Sequence, residues 1–155
     1  MKVLGLSHVL LCATNIAESR AFYVDVLGFE VIEEDPDHGG VFLAVAGGTH
    51  VIDLVPIDAP RPPRPMIDPA YVPRPGMGHL ALHVGSSEAL RDAYFELTDR
   101  GVTVLQAADH KSQQSVYFLD PDHNVLELCW ERPNVRELYL SGRGDEDAVL
   151  TFTRS

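Results

Sequence analysis

The chain states one pattern twice, and that repetition limits what it can fold into more than any other feature. Residues 7–54 open with Ser-His-Val-Leu-Leu and close with Thr-His-Val-Ile-Asp-Leu, while residues 78–128 open with Gly-His-Leu-Ala-Leu and close with Asn-Val-Leu-Glu-Leu. Each half reads strand, helix, glycine turn, strands. Each begins with a histidine on its first strand (His8, His79) and ends with a carboxylate on its last (Asp53, Glu127). Two copies facing each other would bring two imidazoles and one or two carboxylates to one point. Such a donor set suits a divalent metal ion.

Local pattern fills in the elements. Residues 3–12 read as a strand. Residues 16–27 read as an amphipathic helix with Ile16, Phe22, Tyr23, Val26 and Leu27 near helical spacing. Asn15 followed by Glu18 forms a capping-box pattern, and Gly28 stops the helix. Strands are expected at 29–34, 40–46 and 49–55. The second copy gives a strand at 78–84, then a helix at 87–100 with an apolar face of Leu90, Ala93, Tyr94 and Leu97. Strands at 102–106, 114–119 and 124–130 follow. Between the copies, residues 56–75 hold eight of the eleven prolines, which makes a stiff, extended linker. The tail is charged and glycine-broken until 148–153, which reads as an edge strand or a dimer contact. The organisation expected is one domain, with module 1 at about 4–55, the linker at 56–75, module 2 at about 78–131 and a tail at 132–155.

Composition excludes several roles. A length of 155 residues with 45% hydrophobic content is enough for a buried core. The formal net charge of −11 repels phosphate backbones and anionic lipid, so neither nucleic acid nor membrane is expected as a partner. Apolar runs fall short of the roughly 20 residues that span a bilayer. The N-terminus faintly resembles a signal peptide, but the repeat needs that segment as its first strand. The two cysteines, Cys12 and Cys129, are too few for a disulfide framework. Each is expected as a small buried hydrophobe, in a cytoplasmic protein.

Side chains alternate faces along a strand. His79, Ala81 and His83 therefore share one face of their strand. Val125, Glu127 and Cys129 share one of theirs, and Val51 and Asp53 share one of theirs. An ionised carboxylate in mid-strand is costly unless it is paired or metal-bound. His8, His79 and Glu127 stand out as ligands. Asp53 is a methylene shorter than glutamate. His83 lies four residues, or about 13 Å, beyond His79 on an extended strand and is read as a packing or supporting residue.

These residues sit in three signatures, SHVLLCATNIAESRAFYVDVLGFEV, GHLALHV and SVYFLDPDHNVLELCW. Together they resemble the vicinal-oxygen-chelate superfamily over about residues 4–131. That superfamily includes glyoxalase I, methylmalonyl-CoA epimerase, extradiol ring-cleaving dioxygenases, and the fosfomycin and bleomycin resistance proteins. The resemblance implies an α+β fold in which tandem βαβββ modules form a cupped, U-shaped mixed β-barrel. It also implies metal ligation by His8, His79 and Glu127, with Asp53 in the slot of a fourth ligand. The stretch Asp109-His110 to Tyr117-Phe-Leu-Asp-Pro-Asp resembles the catechol 2,3-dioxygenase-like branch. There, histidine and tyrosine at the positions of His110 and Tyr117 contact substrate oxygens. His50 lies near the branch's acid/base histidine, one or two residues out of register, which on a strand turns or displaces the side chain.

The resemblance thus implies a metal-dependent enzyme. First comes an Fe(II) extradiol-type dioxygenase taking a catechol-like small molecule and dioxygen. A second reading is a glyoxalase- or epimerase-like lyase or isomerase with four protein ligands, for which Mn, Co, Ni or Zn would serve. A third is a resistance-type small-molecule binding protein. Homodimers are expected from the family.

Overall fold

The computed structural model describes residues 1–65, 75–142 and 147–154. The chain divides into two compact units, Met1–Pro63 and Arg64–Ser155. The first holds β1 (Val9–Ala13), α1 (Ile16–Ala21), β2 (Glu30–Glu34), β3 (Val41–Ala44) and β4 (His50–Pro56). Its sheet runs in the order β1-β4-β3-β2, with β1 parallel to β4 and the other pairs antiparallel.

The Asn15 side chain accepts a hydrogen bond from the Glu18 amide at 3.2 Å and starts α1 as the capping pattern predicts. The expected helix at 16–27 is α-helical only through Ala21. From Phe22 to Val26 it widens into a π-helical turn. That turn carries Tyr23 into the core, fully buried, with its ring edge-on to Phe22 and Phe29. Gly28, at φ +75°, then reverses the chain in the left-handed region that favours glycine. The strand expected over 3–12 begins only at Val9. Val9 is opposite Ile52, two residues into β4, so in this register residues 3–6 have no part of β4 to pair with. Val3, Leu4 and Leu6 are exposed.

The second unit holds β5 (Leu80–His83), α2 (Ser87–Asp99), β6 (Val104–Asp109), β7 (Gln113–Leu119), β8 (Val125–Glu131), α3 (Val135–Ser141) and β9 (Ala148–Val149). Its sheet runs β5-β8-β7-β6-β9. Ser86 caps α2 by accepting from the Ala89 amide at 3.1 Å. Helix α2 packs on β6, β7 and β8. Its Leu90 and Leu97 are buried, as are Val116, Phe118 and Leu126 of the sheet. Both sheets end in edges, so neither closes on itself.

The repeat is preserved in the register. Leu10 pairs with Asp53 and Ala81 pairs with Glu127, each in a parallel ladder, and each lies two residues after its histidine. Each module also carries a one-residue bulge in its first hairpin, at Ile32 and at Leu105. The edge strand expected in the tail is β9, which pairs with β6 over Ala148 and Val149. Helix α3 was not anticipated. It is only seven residues long and buries none of them, so the spacing of Val135, Leu138 and Tyr139 is too short a run to be read as a helix. Most of the described linker residues are exposed. Its remainder, residues 66–74, lies outside the described residues.

Candidate functional site

Strand β4 runs parallel beside β1, so Asp53 lies opposite Leu10 and faces the same side as His8. His8 Nε2 is 3.5 Å from Asp53 Oδ2. A second imidazole arrives by an irregularity. Leu43 pairs with Ile52 but Ala44 pairs with His50, so Val51 is an extra residue in β4. Regular alternation puts Val51 on the face of Asp53. The bulge gives that place to His50, whose Nε2 stands 3.6 Å from Asp53 Oδ1. The His8 and His50 rings lie 4.6 Å apart. The offset that removes His50 from the face in an ideal strand is therefore cancelled by the backbone.

Asp53 is 6% exposed. Its Oδ1 is the one buried side-chain atom among the described residues without a hydrogen-bond partner. An orphaned carboxylate oxygen in an apolar sheet costs on the order of 1–3 kcal/mol or more. One atom each from His8, His50 and Asp53 lie within 4.8 Å of one another. Ligands in neighbouring positions around a small divalent ion stand about 3 Å apart, given bonds of about 2.1 Å. Small side-chain rotations bridge that difference, so the nitrogen-and-carboxylate set fits a borderline divalent cation.

In the second unit, Tyr117 of β7 pairs directly with Glu127 of β8, placing both on one face. His79, just before β5, reaches that face. Its Nε2 is 2.9 Å from Glu127 Oε2. Glu127 is only 1% exposed. Its other oxygen, Oε1, accepts from Ser115 Oγ at 2.5 Å and from Gln113 Nε2 at 2.9 Å. One carboxylate oxygen is thereby saturated by the protein, and the second faces the histidine. Sequence reasoning missed Gln113 and Ser115. The signal was present, because Gln113, Ser115 and Tyr117 alternate on one face of a strand.

The Tyr117 ring stands edge-on to His79 at 5.4 Å. The Tyr117 hydroxyl lies 3.0 Å from His110 Nε2. Burial first, and the charge of Glu127 second, push the phenol well above its ordinary range, so Tyr117 keeps its proton at every physiological pH. His110 follows β6 immediately, and its side chain is only 15% exposed. A hollow of about 830 Å³ between α2, β6 and the tail also reaches His110.

Two expectations change. His83 is exposed, with Nε2 3.6 Å from Glu131 Oε2, and is not a core residue. Cys12 is exposed rather than buried, because it shares the exposed face of β1 with Leu10, while Leu11 and Ala13 on the other face are buried. Cys129 is buried as expected, and burial with the charge of Glu127 pushes its thiol up to about 11. A thiol-alkylating reagent at neutral pH is therefore expected to label one cysteine, Cys12, in the folded protein and both after denaturation. Prompt double labelling in mass spectrometry would contradict this environment for Cys129.

Comparison with known proteins matches the Glyoxalase/Bleomycin resistance protein/Dioxygenase superfamily over residues 5–128. The chain is similar to the uncharacterized protein YwkD of Bacillus subtilis, 32% identical over 133 residues, covering 83% of this chain and 98% of that protein. It is similar to biphenyl-2,3-diol 1,2-dioxygenase 3 of Rhodococcus globerulus, 31% identical over 123 residues, 79% of this chain and 61% of that protein. Among solved structures it resembles a variant of the fosfomycin resistance protein FosX from Listeria monocytogenes, complexed with Mn(II) and a dihydroxypropylphosphonic acid. That likeness has a TM-score of 0.66 at 20% identity, covering 87% of this chain and 98% of that one.

Proposed function

The chain belongs to the glyoxalase/bleomycin resistance protein/dioxygenase superfamily, and from that premise we propose that it is a metal-dependent enzyme, an Fe(II) extradiol-type dioxygenase acting on a catechol-like small molecule with dioxygen. The observation that carries this reading is the hydrogen bond between His110 and Tyr117 beside the Glu127–His79 pair. These are the residue types that the ring-cleaving branch sets against substrate oxygens. Similarity to a biphenyl-diol dioxygenase supports the reading, although the chain spans only 61% of that relative.

The ligand set proposed is His8, His79 and Glu127, with Asp53 at a fourth position. When bound, the ion supplies a Lewis-acidic, redox-active centre for the vicinal oxygens of a substrate. Ser115 and Gln113 hold Glu127 through Oε1, while Oε2 points at His79. Tyr117, locked in its protonated form, orients a substrate oxygen. His110 Nε2 holds or moves a proton at the same oxygen cluster. His50, turned by the β4 bulge toward Asp53, is a second acid/base group. The two compact units are proposed as the tandem modules of one catalytic domain. Homodimeric assembly and a cytoplasmic location belong to the same proposal. No helix among the described residues is long and apolar enough to cross a membrane.

A specific observation favours a second reading. The orphaned Oδ1 of Asp53 offers a second carboxylate. A four-ligand site with two carboxylates suits a glyoxalase- or epimerase-like lyase or isomerase loaded with Mn, Co, Ni or Zn. A resistance-type binding protein needs no such histidine–carboxylate set. Protein loaded anaerobically with Fe(II) and then given air is expected to convert a simple catechol to a yellow ring-cleaved product, followed by absorbance. No turnover across a broad catechol panel, together with isomerase activity with Ni or Co, would replace the first reading by the second.

A further inference from the structure

His110 is held from both sides. Its Nε2 meets the Tyr117 hydroxyl at 3.0 Å, and its Nδ1 meets Asp147 Oδ1 at 2.8 Å. Asp147 lies 37 residues beyond His110 in sequence, in a tail whose position is secured at several points. Ala148 and Val149 pair with Asp109 and Ala108 of β6, and the Leu150 amide donates to the Ala107 carbonyl at 3.1 Å. The Phe152 ring lies 5.1 Å from that of Tyr94 on α2. Arg154 pairs with Asp99 and lies over the Phe95 ring. A two-residue strand is too short to stabilise much by itself. What it does is set Asp147, the residue immediately before it, against the imidazole.

We propose that Asp147 is a positioning residue for His110, and that β9 delivers it. A carboxylate accepts hydrogen bonds and cannot donate when ionised. In the neutral imidazole, Nδ1 of His110 then carries the proton, which leaves Nε2 as an acceptor. That nitrogen can then accept from the Tyr117 hydroxyl 3.0 Å away, a hydroxyl that also lies beside the Glu127 carboxylate. An acid fixed on one imidazole nitrogen thus sets both the tautomer and the ring orientation of the group at the other. The proposal rests on the role given above to His110, and its spectroscopic test does not depend on turnover.

The test is nitrogen-15 NMR of the full chain at about pH 9, above the ordinary imidazole range, with His110 assigned by its disappearance in His110→Gln. The expected spectrum shows a protonated Nδ1 and a bare Nε2. Asp147→Ala is expected to average the two nitrogens toward a tautomer mixture. Asp147→Asn keeps an acceptor oxygen and is expected to retain the wild-type pattern. Asp147 is half exposed, so neither variant disturbs the core. A proton on Nε2 in the wild type, or an unchanged tautomer in Asp147→Ala, would overturn the proposal. In the ring-cleavage assay, Asp147→Ala is expected to lower kcat by about 10–100-fold with KM unchanged, and Asp147→Asn to recover most of it. An expected tautomer pattern in a protein that cleaves no catechol supports the positioning role and overturns only the reaction assigned to the site.

Discussion

Glu127→Ala is expected to strip the divalent ion from the protein, lowering affinity by well over 100-fold in a competition titration read by elemental analysis. Loss of a hydrogen-bonding partner behind a ligand already costs about 10–100-fold, and Glu127 is proposed as a ligand itself. Its geometry suits that role. Oε1 is saturated by Ser115 and Gln113, and Oε2 points at His79. Asp53→Ala is expected to leave affinity largely intact, because aspartate is a methylene shorter than its counterpart in the repeat. Equal losses in the two variants would mean a four-ligand site and favour the isomerase reading. Full affinity in Glu127→Ala with loss in Asp53→Ala would assign the ion to the His8, His50 and Asp53 cluster of the first unit.

Phe118→Ala is expected to be the most damaging change to folding that leaves every polar site residue in place. Phe118 is completely buried and adjoins Tyr117 in β7, so its side chain points to the opposite face, toward Leu126 and Val104 in the ladders. Truncating a buried phenylalanine costs about 3–5 kcal/mol. Domains of this size have about 5–15 kcal/mol in total, so the urea midpoint should fall steeply. A midpoint near that of the wild type would contradict the assigned faces of β7, and with them the placement of Tyr117 beside Glu127.

Much of this architecture is legible one residue at a time. The repeat predicts eight strands and two helices in the observed order, because alternation and helical spacing are local properties of the chain. The sharing of faces by Ala81 with His83 and by Glu127 with Cys129 follows from the same two-residue period. Asn15 and Gly28 mark the start and end of the first helical segment as their chemistry requires. The exceptions have identifiable causes. Helix α3 is only seven residues long, too short for the spacing of its apolar residues to reveal it. The π-helical turn at Phe22 changes the helical period within the segment. Cys12 looks like a core residue until the face it shares with Leu10 is found exposed and that of Leu11 and Ala13 buried.

The sequence by itself determined the duplicated module and the histidine and carboxylate at matching ends of each copy, and its resemblance to the ring-cleaving branch singled out His110 and Tyr117 as candidates to contact substrate oxygens. Only the tertiary structure decided that His50 joins Asp53, that Ser115 and Gln113 saturate one oxygen of Glu127, and that Asp147 backs His110. The reason is physical. A side chain's face follows from its immediate neighbours, whereas a bulge in β4 or a tail docked on β6 depends on hydrogen bonds to strands distant in the chain, and those leave no period in the sequence to read.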